Sequence, residues 1–289
     1  MLYADDLQIY LHIKPCDLAS ALVLVQRDID SICEWAVSNC LSVNPSKTRC
    51  MILGSARYIN QIDFDCLPYL SADGTRIPYS TSTRNLGLTI DSALSWNVHT
   101  TNVCSQIVRT LYLLKTNRNS LSMELRKLLV SSLIFPIIDY CLIIYGATAA
   151  SNLNRVQVAL NSCVRFIFDA KRDEHISPYY AELDWLTVSS RRLKYLGLLV
   201  YQIINMGSPT YLATSVISAS SAGVRTVRRA NDLIVPIHRT EFYRHSFHVS
   251  AALFWNSLPN AVRNSTSQRT FKSRLHQFLL PSIAPGVTH

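Results

Sequence analysis

A change of hydrophobic period along the chain limits its fold more than any other feature. Apart from one helical stripe, apolar residues up to about position 91 recur at strand spacing, and from position 96 onward they recur every three or four. A period of two builds a half-buried strand; a period near 3.6 builds an amphipathic helix. The sequence therefore predicts an α+β chain, with strands in the first third and a mainly helical remainder. Apolar residues make up 48% of 289, enough to support a core, and the length favours more than one domain. That composition excludes a wholly disordered chain, and its 8 Gly and 11 Pro exclude a collagen-like one.

Leu2 and Ala4, then Leu7, Ile9 and Leu11, alternate with polar residues on either side of Asp5-Asp6. This predicts a β-hairpin with the two acids at its tip. Asp17 is placed to cap a helix from Leu18 to about Ser38, with Leu18, Leu22, Val25, Ile29, Ile32 and Ala36 as its apolar stripe. A turn at Asn44-Pro45 leads to an expected strand over Arg49 to Leu53. Further strands are expected over 58–91, with Asp73-Gly74 as a hairpin turn and Leu86 to Ile90 as the last strand. Helices are expected over Trp96 to Asn117, Ser122 to Tyr145 (one apolar helix kinked at Pro136), Asn152 to Phe168, Ser189 to Asn205, Ser246 to Asn256 and Thr270 to Leu280. Residues 214–230, rich in Ser, Ala and Arg, read as a flexible connector.

Charge is unevenly spread. Residues 1–92 carry 7 basic and 10 acidic side chains, residues 93–289 carry 21 and 9, and residues 186–289 carry 12 and 2. An acidic front and a basic back fit a metal- or phosphate-handling site followed by a polyanion-binding surface; a merely cationic soluble surface is the plainer alternative. None of the eight cysteines forms a CxxC pair and none follows Cys163, so a Cys-based zinc knuckle in the C-terminal part is excluded. The cysteines read as small buried hydrophobes of a reduced compartment. His245 and His248 read as surface or core histidines rather than ligands. Asp5 and Asp6 interrupt any signal-peptide pattern, and the most apolar segment, Leu128 to Ile144, is short for a membrane span and holds Asp139. An intracellular protein of nucleus or cytoplasm, without membrane contact, is expected.

Two adjacent carboxylates at a tight turn repel each other unless a cation lies beside them, and Mg²⁺ takes such oxygen ligands. Tyr3-Ala4-Asp5-Asp6 with strand patterns on both sides resembles the metal-binding hairpin of reverse transcriptases. Later blocks are similar to jockey-like non-LTR retrotransposon polymerases in the same order: Leu41 to Thr48, Asn85 to Asp91, Leu94-Ser95-Trp96 with His99, Ile138 to Cys141, Leu183 to Leu186, Phe254 to Pro259 and Phe271-Lys272. The resemblance implies the remainder of a polymerase palm over 1–92 (hairpin, helix, strands), a helical thumb over 93–150 and a basic, mainly helical C-terminal region over 151–289.

It also implies roles. Asp5 and Asp6 would be catalytic, Asp5 ligating two Mg²⁺ ions and Asp6 supporting the site. Tyr3 would contact the primer end or brace the hairpin, and Lys47 would sit near the incoming triphosphate, a solvated turn lysine being the plainer alternative. RNA template and DNA primer would be the partners. The family's other palm aspartate and its fingers lie upstream of the hairpin, and Met1 stands two residues before Tyr3. The expectation is therefore a partial polymerase, inactive alone, in need of a missing upstream segment; a non-catalytic RNA- or DNA-binding module is the alternative. Asp63 and Asp65 read as edge or turn acids rather than replacements. In the thumb, Arg109, Lys115, Arg118, Arg126 and Lys127 would track nucleic-acid phosphates. Arg191, Arg192 and Lys194 crowd a helix start, where a phosphate, Asp184 or Glu182 could offset them. Arg225, Arg228 and Arg229 read equally as an RNA-contacting loop or a solvated linker.

Overall fold

Residues with left-handed backbone set the hairpins of the N-terminal part. In the computed structural model, which describes residues 2–3 (as backbone), 5–214, 216 and 232–280, Asp73 and Gly74 take φ of 50° and 74°, and Leu86 and Gly87 take 45° and 82°. Two consecutive positive φ values make the two-residue turn whose twist matches paired antiparallel strands. Glycine adopts this conformation freely; Leu86 does so at a cost of about 1–2 kcal/mol.

The chain divides into two compact units, Met1–Val98 and His99–His289. The first holds β1 (Leu2–Tyr3), β2 (Asp6–Leu7), α1 (Leu18–Ser38), α2 (Ala56–Ile59), β3 (Leu70–Ala72), β4 (Thr75–Ile77), β5 (Ser82–Asn85) and β6 (Leu88–Asp91). The strands form three separate antiparallel pairs, β1–β2, β3–β4 and β5–β6. Leu22 and Ile29 of α1 pack on Leu70, Ala72 and Ile77, with Leu18 and Val25 partly buried beside them. Gln26 locks this contact: its amide donates to the Ser71 carbonyl at 2.9 Å and accepts from the Ser71 N–H at 2.8 Å. The side chain thus completes the hydrogen bonding of a strand edge.

Several expectations are corrected in this unit. The helix over Leu18–Ser38 forms, but Asp17 makes no side-chain cap; a 3₁₀ turn over Pro15–Asp17 runs directly into it. Residues 49–53 form no strand. Only Cys50 bridges Tyr79, its N–H donating to the Pro78 carbonyl at 3.3 Å and its carbonyl accepting from the Ser80 N–H at 2.9 Å; Pro78, without an N–H, cannot carry the pairing back toward Thr48. Between 56 and 66 the chain forms α2 and a 3₁₀ turn over Phe64–Cys66, with Asp63 accepting from the Asp65 N–H at 3.1 Å. Leu86-Gly87 is a turn rather than the start of the last strand.

The second unit is helical: α3 (Asn97–Thr116, starting just before it), α4 (Met123–Leu133), α5 (Phe135–Asp139), α6 (Leu142–Tyr145), α7 (Ala150–Phe168), α8 (Ser177–Leu183), α9 (Val188–Met206), α10 (Thr210–Ala213), α11 (Glu241–Arg244), α12 (Phe247–Ser257), α13 (Asn260–Arg263) and α14 (Gln268–Leu279). The expected single helix over 122–145 is three. Pro136 cannot donate within a helix, so α5 restarts with it in its first turn, and Cys141 at φ 54° turns the chain before α6. α8 was not expected. The connector near 214–230 falls almost wholly outside the described residues. Among the described residues no helix is long and apolar enough to cross a membrane.

Trp255, Phe271 and Tyr201 stack at the centre of the α9–α12–α14 core, with ring centroids 4.4 Å (Tyr201–Phe271) and 5.8 Å (Trp255–Phe271) apart. Gly197 lets α9 approach closely, since a β-carbon there would lie 2.8 Å from Leu275 Cδ2 and 3.1 Å from Phe254 Cε1. Asn256 pairs with both backbone groups of Leu233, at 2.8 and 2.9 Å, which ties the chain entering this core to α12.

Candidate nucleic-acid interface

The Asp-Asp pair lies on a hairpin. Leu2 pairs with Leu7 and Tyr3 with Asp6, so Asp5 sits in the turn and Asp6 opens the second strand; both are exposed. Just beyond, the Gln8 amide donates to Asn85 Oδ1 at 2.6 Å, which holds the hairpin's exit against β5. Lys47 is exposed in the turn after α1, where its N–H donates to the Asn44 carbonyl at 3.2 Å. Two adjacent carboxylates are hard oxygen donors of the kind Mg²⁺ takes. Among the described residues, however, no three or more His, Cys, Asp or Glu side chains gather as a metal centre. The residues present therefore do not make up a two-ion site.

The α3 stripe presents a cationic cleft in the second unit. Thr101, Cys104, Ser105, Val108, Arg109 and Tyr112 recur at three- and four-residue steps and face Arg155 of α7 across about 510 Å³. Lys115 lies one heptad beyond Val108 on the same stripe and is exposed. Arg155 bonds to neutral partners, Thr101 Oγ1 at 2.8 Å and Asn152 Oδ1 at 3.5 Å, so its charge is not cancelled. No acidic residue occurs between Asp91 and Glu124 or between Asp139 and Asp169, so neither helix carries a carboxylate. Tyr112, 66% exposed, adds a ring beside the two guanidinium groups. Cations with an exposed aromatic face form a surface that attracts phosphates and stacks on bases. Arg155 and Tyr112 were missed by sequence reasoning; the acid-free stretches were the available signal.

Arg118 is placed differently. It pairs with Asp169, and Arg126 joins the same carboxylate at 3.0 Å. Arg225, Arg228 and Arg229 lie outside the described residues. In the Arg191-Arg192-Lys194 cluster each cation has its own surroundings. Arg191 grips Asp139 with both ends of its guanidinium (Nε–Oδ1 2.8 Å) and lies 3.8 Å over the Phe135 ring. Tyr195 donates to the same carboxylate at 2.7 Å; burial first, then this bond and the charge of Asp139, push its hydroxyl up to about 12. Lys194 meets His276 Nδ1 at 3.1 Å, and His276 Nε2 lies 3.1 Å from Asp184. Burial, then Lys272 and Arg191, hold Lys194 below the ordinary lysine range.

Comparison with known proteins gives the class. A "Probable RNA-directed DNA polymerase from transposon BS" of Drosophila melanogaster is 26% identical over 183 residues, which is 62% of this chain and 18% of that protein. The RNA-directed DNA polymerases from mobile element jockey of Drosophila funebris and Drosophila melanogaster are each 26% identical over 172 residues, 58% of this chain and 18% of theirs. The matched stretch thus spans less than a fifth of these relatives. No family model matches the chain. No solved structure matches it. The chain resembles jockey-like non-LTR retrotransposon reverse transcriptases.

Proposed function

We propose that this chain serves RNA-directed DNA synthesis as the later part of a non-LTR retrotransposon polymerase. Residues 1–92 act as a partial palm, 93–150 as the thumb and 151–289 as a basic C-terminal region. RNA template and DNA primer are the partners, held by Arg109, Lys115 and Arg155 through phosphates and by Tyr112 through a base or ribose. The similarity to jockey-type polymerases supports this reading, and the uncompensated cations of the α3–α7 cleft carry it. Asp5 and Asp6 are the catalytic carboxylates, with Lys47 near the triphosphate, and a further carboxylate is needed before Mg²⁺ binds firmly. The polypeptide alone is therefore expected to bind nucleic acid without extending it, which favours the non-catalytic binding module as the description of the isolated chain.

Two assays test this. Primer extension on an RNA template with Mg²⁺ is expected to give no incorporation; incorporation abolished by Asp5→Ala would overturn the expected inactivity. In a filter-binding titration of an RNA–DNA duplex, affinity is expected to fall steeply with salt. The double variant Arg109→Ala/Arg155→Ala is expected to flatten the log–log slope by about 2, on the basis of roughly 0.9 per phosphate contact. An unchanged slope removes the cleft from the interface.

A further inference from the structure

A second cleft of the helical unit, about 420 Å³, lies between α9, α11 and α12 and is lined by Arg192, Leu196, Arg244, His245 and Phe254 among others. Arg192 differs from three other largely buried arginines of this unit. Arg191, Arg126 and Arg263 each meet a carboxylate. Arg192 has none among the described residues, and its Nε is buried without a hydrogen-bond partner. Its stem is pinned against Gly146, where a β-carbon would lie 2.7 Å from Arg192 Cδ. The guanidinium therefore cannot swing out to solvent without breaking a packed contact. Burial alone depresses its basicity. An uncompensated cation held in a half-dry wall is costly unless an anion completes it.

Other groups on the same cleft agree. Arg244 adds positive charge and His245 a ring nitrogen, with exposed Glu241 3.3 and 3.5 Å away. Leu196 and Phe254 form an apolar wall beside these donors.

We infer that this cleft binds a phosphate group, with Arg192 as its fixed cation, Arg244 as its outer one, His245 as a further hydrogen-bonding group, and any attached non-polar moiety resting on Leu196 and Phe254. The site stands on these residues and does not depend on the polymerase reading.

The test uses the full chain and inorganic phosphate, followed by ³¹P line broadening. Wild type is expected to bind saturably. Arg192→Met is expected to weaken binding roughly tenfold, the scale of a lost charge-assisted hydrogen bond, while its melting temperature stays level or rises. Glu241→Gln, which frees Arg244 and His245, is expected to tighten binding several-fold. Absence of saturable binding, wild-type affinity in Arg192→Met, or no gain in Glu241→Gln each overturns the proposal. A 5′-phosphorylated dinucleotide that displaces phosphate at lower concentration supports a nucleic-acid source; displacement by inorganic pyrophosphate alone supports a free anion.

Discussion

Asp139→Ala is expected to lower the stability of the helical unit by about 3 kcal/mol, toward the low end for breaking a buried ion pair because both partners keep some solvent. The side chains of Asp139 and Arg191 are 17% and 14% exposed, and the carboxylate serves three donor groups: both ends of the Arg191 fork and the Tyr195 hydroxyl. Truncation strands the guanidinium over Phe135 with no counter-charge. The cost arises from that stranded cation more than from the lost attraction. Asp139→Ala/Arg191→Met is therefore expected to recover part of the loss. Urea denaturation followed by Trp185 emission reads this, since Trp185 lies 4.5 Å edge-on to Phe135. If the double variant is no more stable than the single one, the pair does not act as described.

Phe271→Ala is expected to cost about 3–5 kcal/mol, the range for removing a fully buried aromatic side chain. Phe271 is 0% exposed and stacks between Tyr201 and Trp255, so truncation opens a void where α14 meets both α9 and α12. Domains hold only about 5–15 kcal/mol in total, so much of the helical unit's margin would go. Phe271→Leu, which keeps most of the volume, is expected to lose less than half as much. A red shift of tryptophan emission in the alanine variant without denaturant marks the loosened α14. A loss below about 1 kcal/mol would show that the neighbouring side chains collapse into the space.

How far the chain could be read in advance depended on whether the determining contact was local. The stripe of α1 was legible because helical spacing alone decides it, and Leu22 and Ile29 are buried as that spacing requires. Asp73-Gly74 was legible because both residue types tolerate left-handed backbone. Leu86 and Cys141 were not, because neither type favours that conformation and tertiary structure imposes it. The missing strand at 49–53 shrinks to one bridge, Cys50 to Tyr79, a pairing with a distant segment that local alternation does not encode. In the candidate interface, Arg109 and Lys115 were visible as basic residues on a helix. Arg155 was not, because it meets the α3 stripe only in three dimensions. Arg118 is engaged by an acid 51 positions away, a pairing that no periodicity encodes.

The unequal cores of the two units bear on how the chain is made. The first has three separate two-stranded ribbons and one small cluster, α1 on β3–β4, and such ribbons are marginal in isolation. It also leaves the ribosome first. At about 5–20 residues per second, roughly 10–40 s pass before the last residue of the second unit is added. During that interval the hairpin bearing Asp5 and Asp6 draws, within this unit, on its own short ladder and the Gln8–Asn85 bond to β5, so nascent-chain chaperones are the natural custodians of this segment.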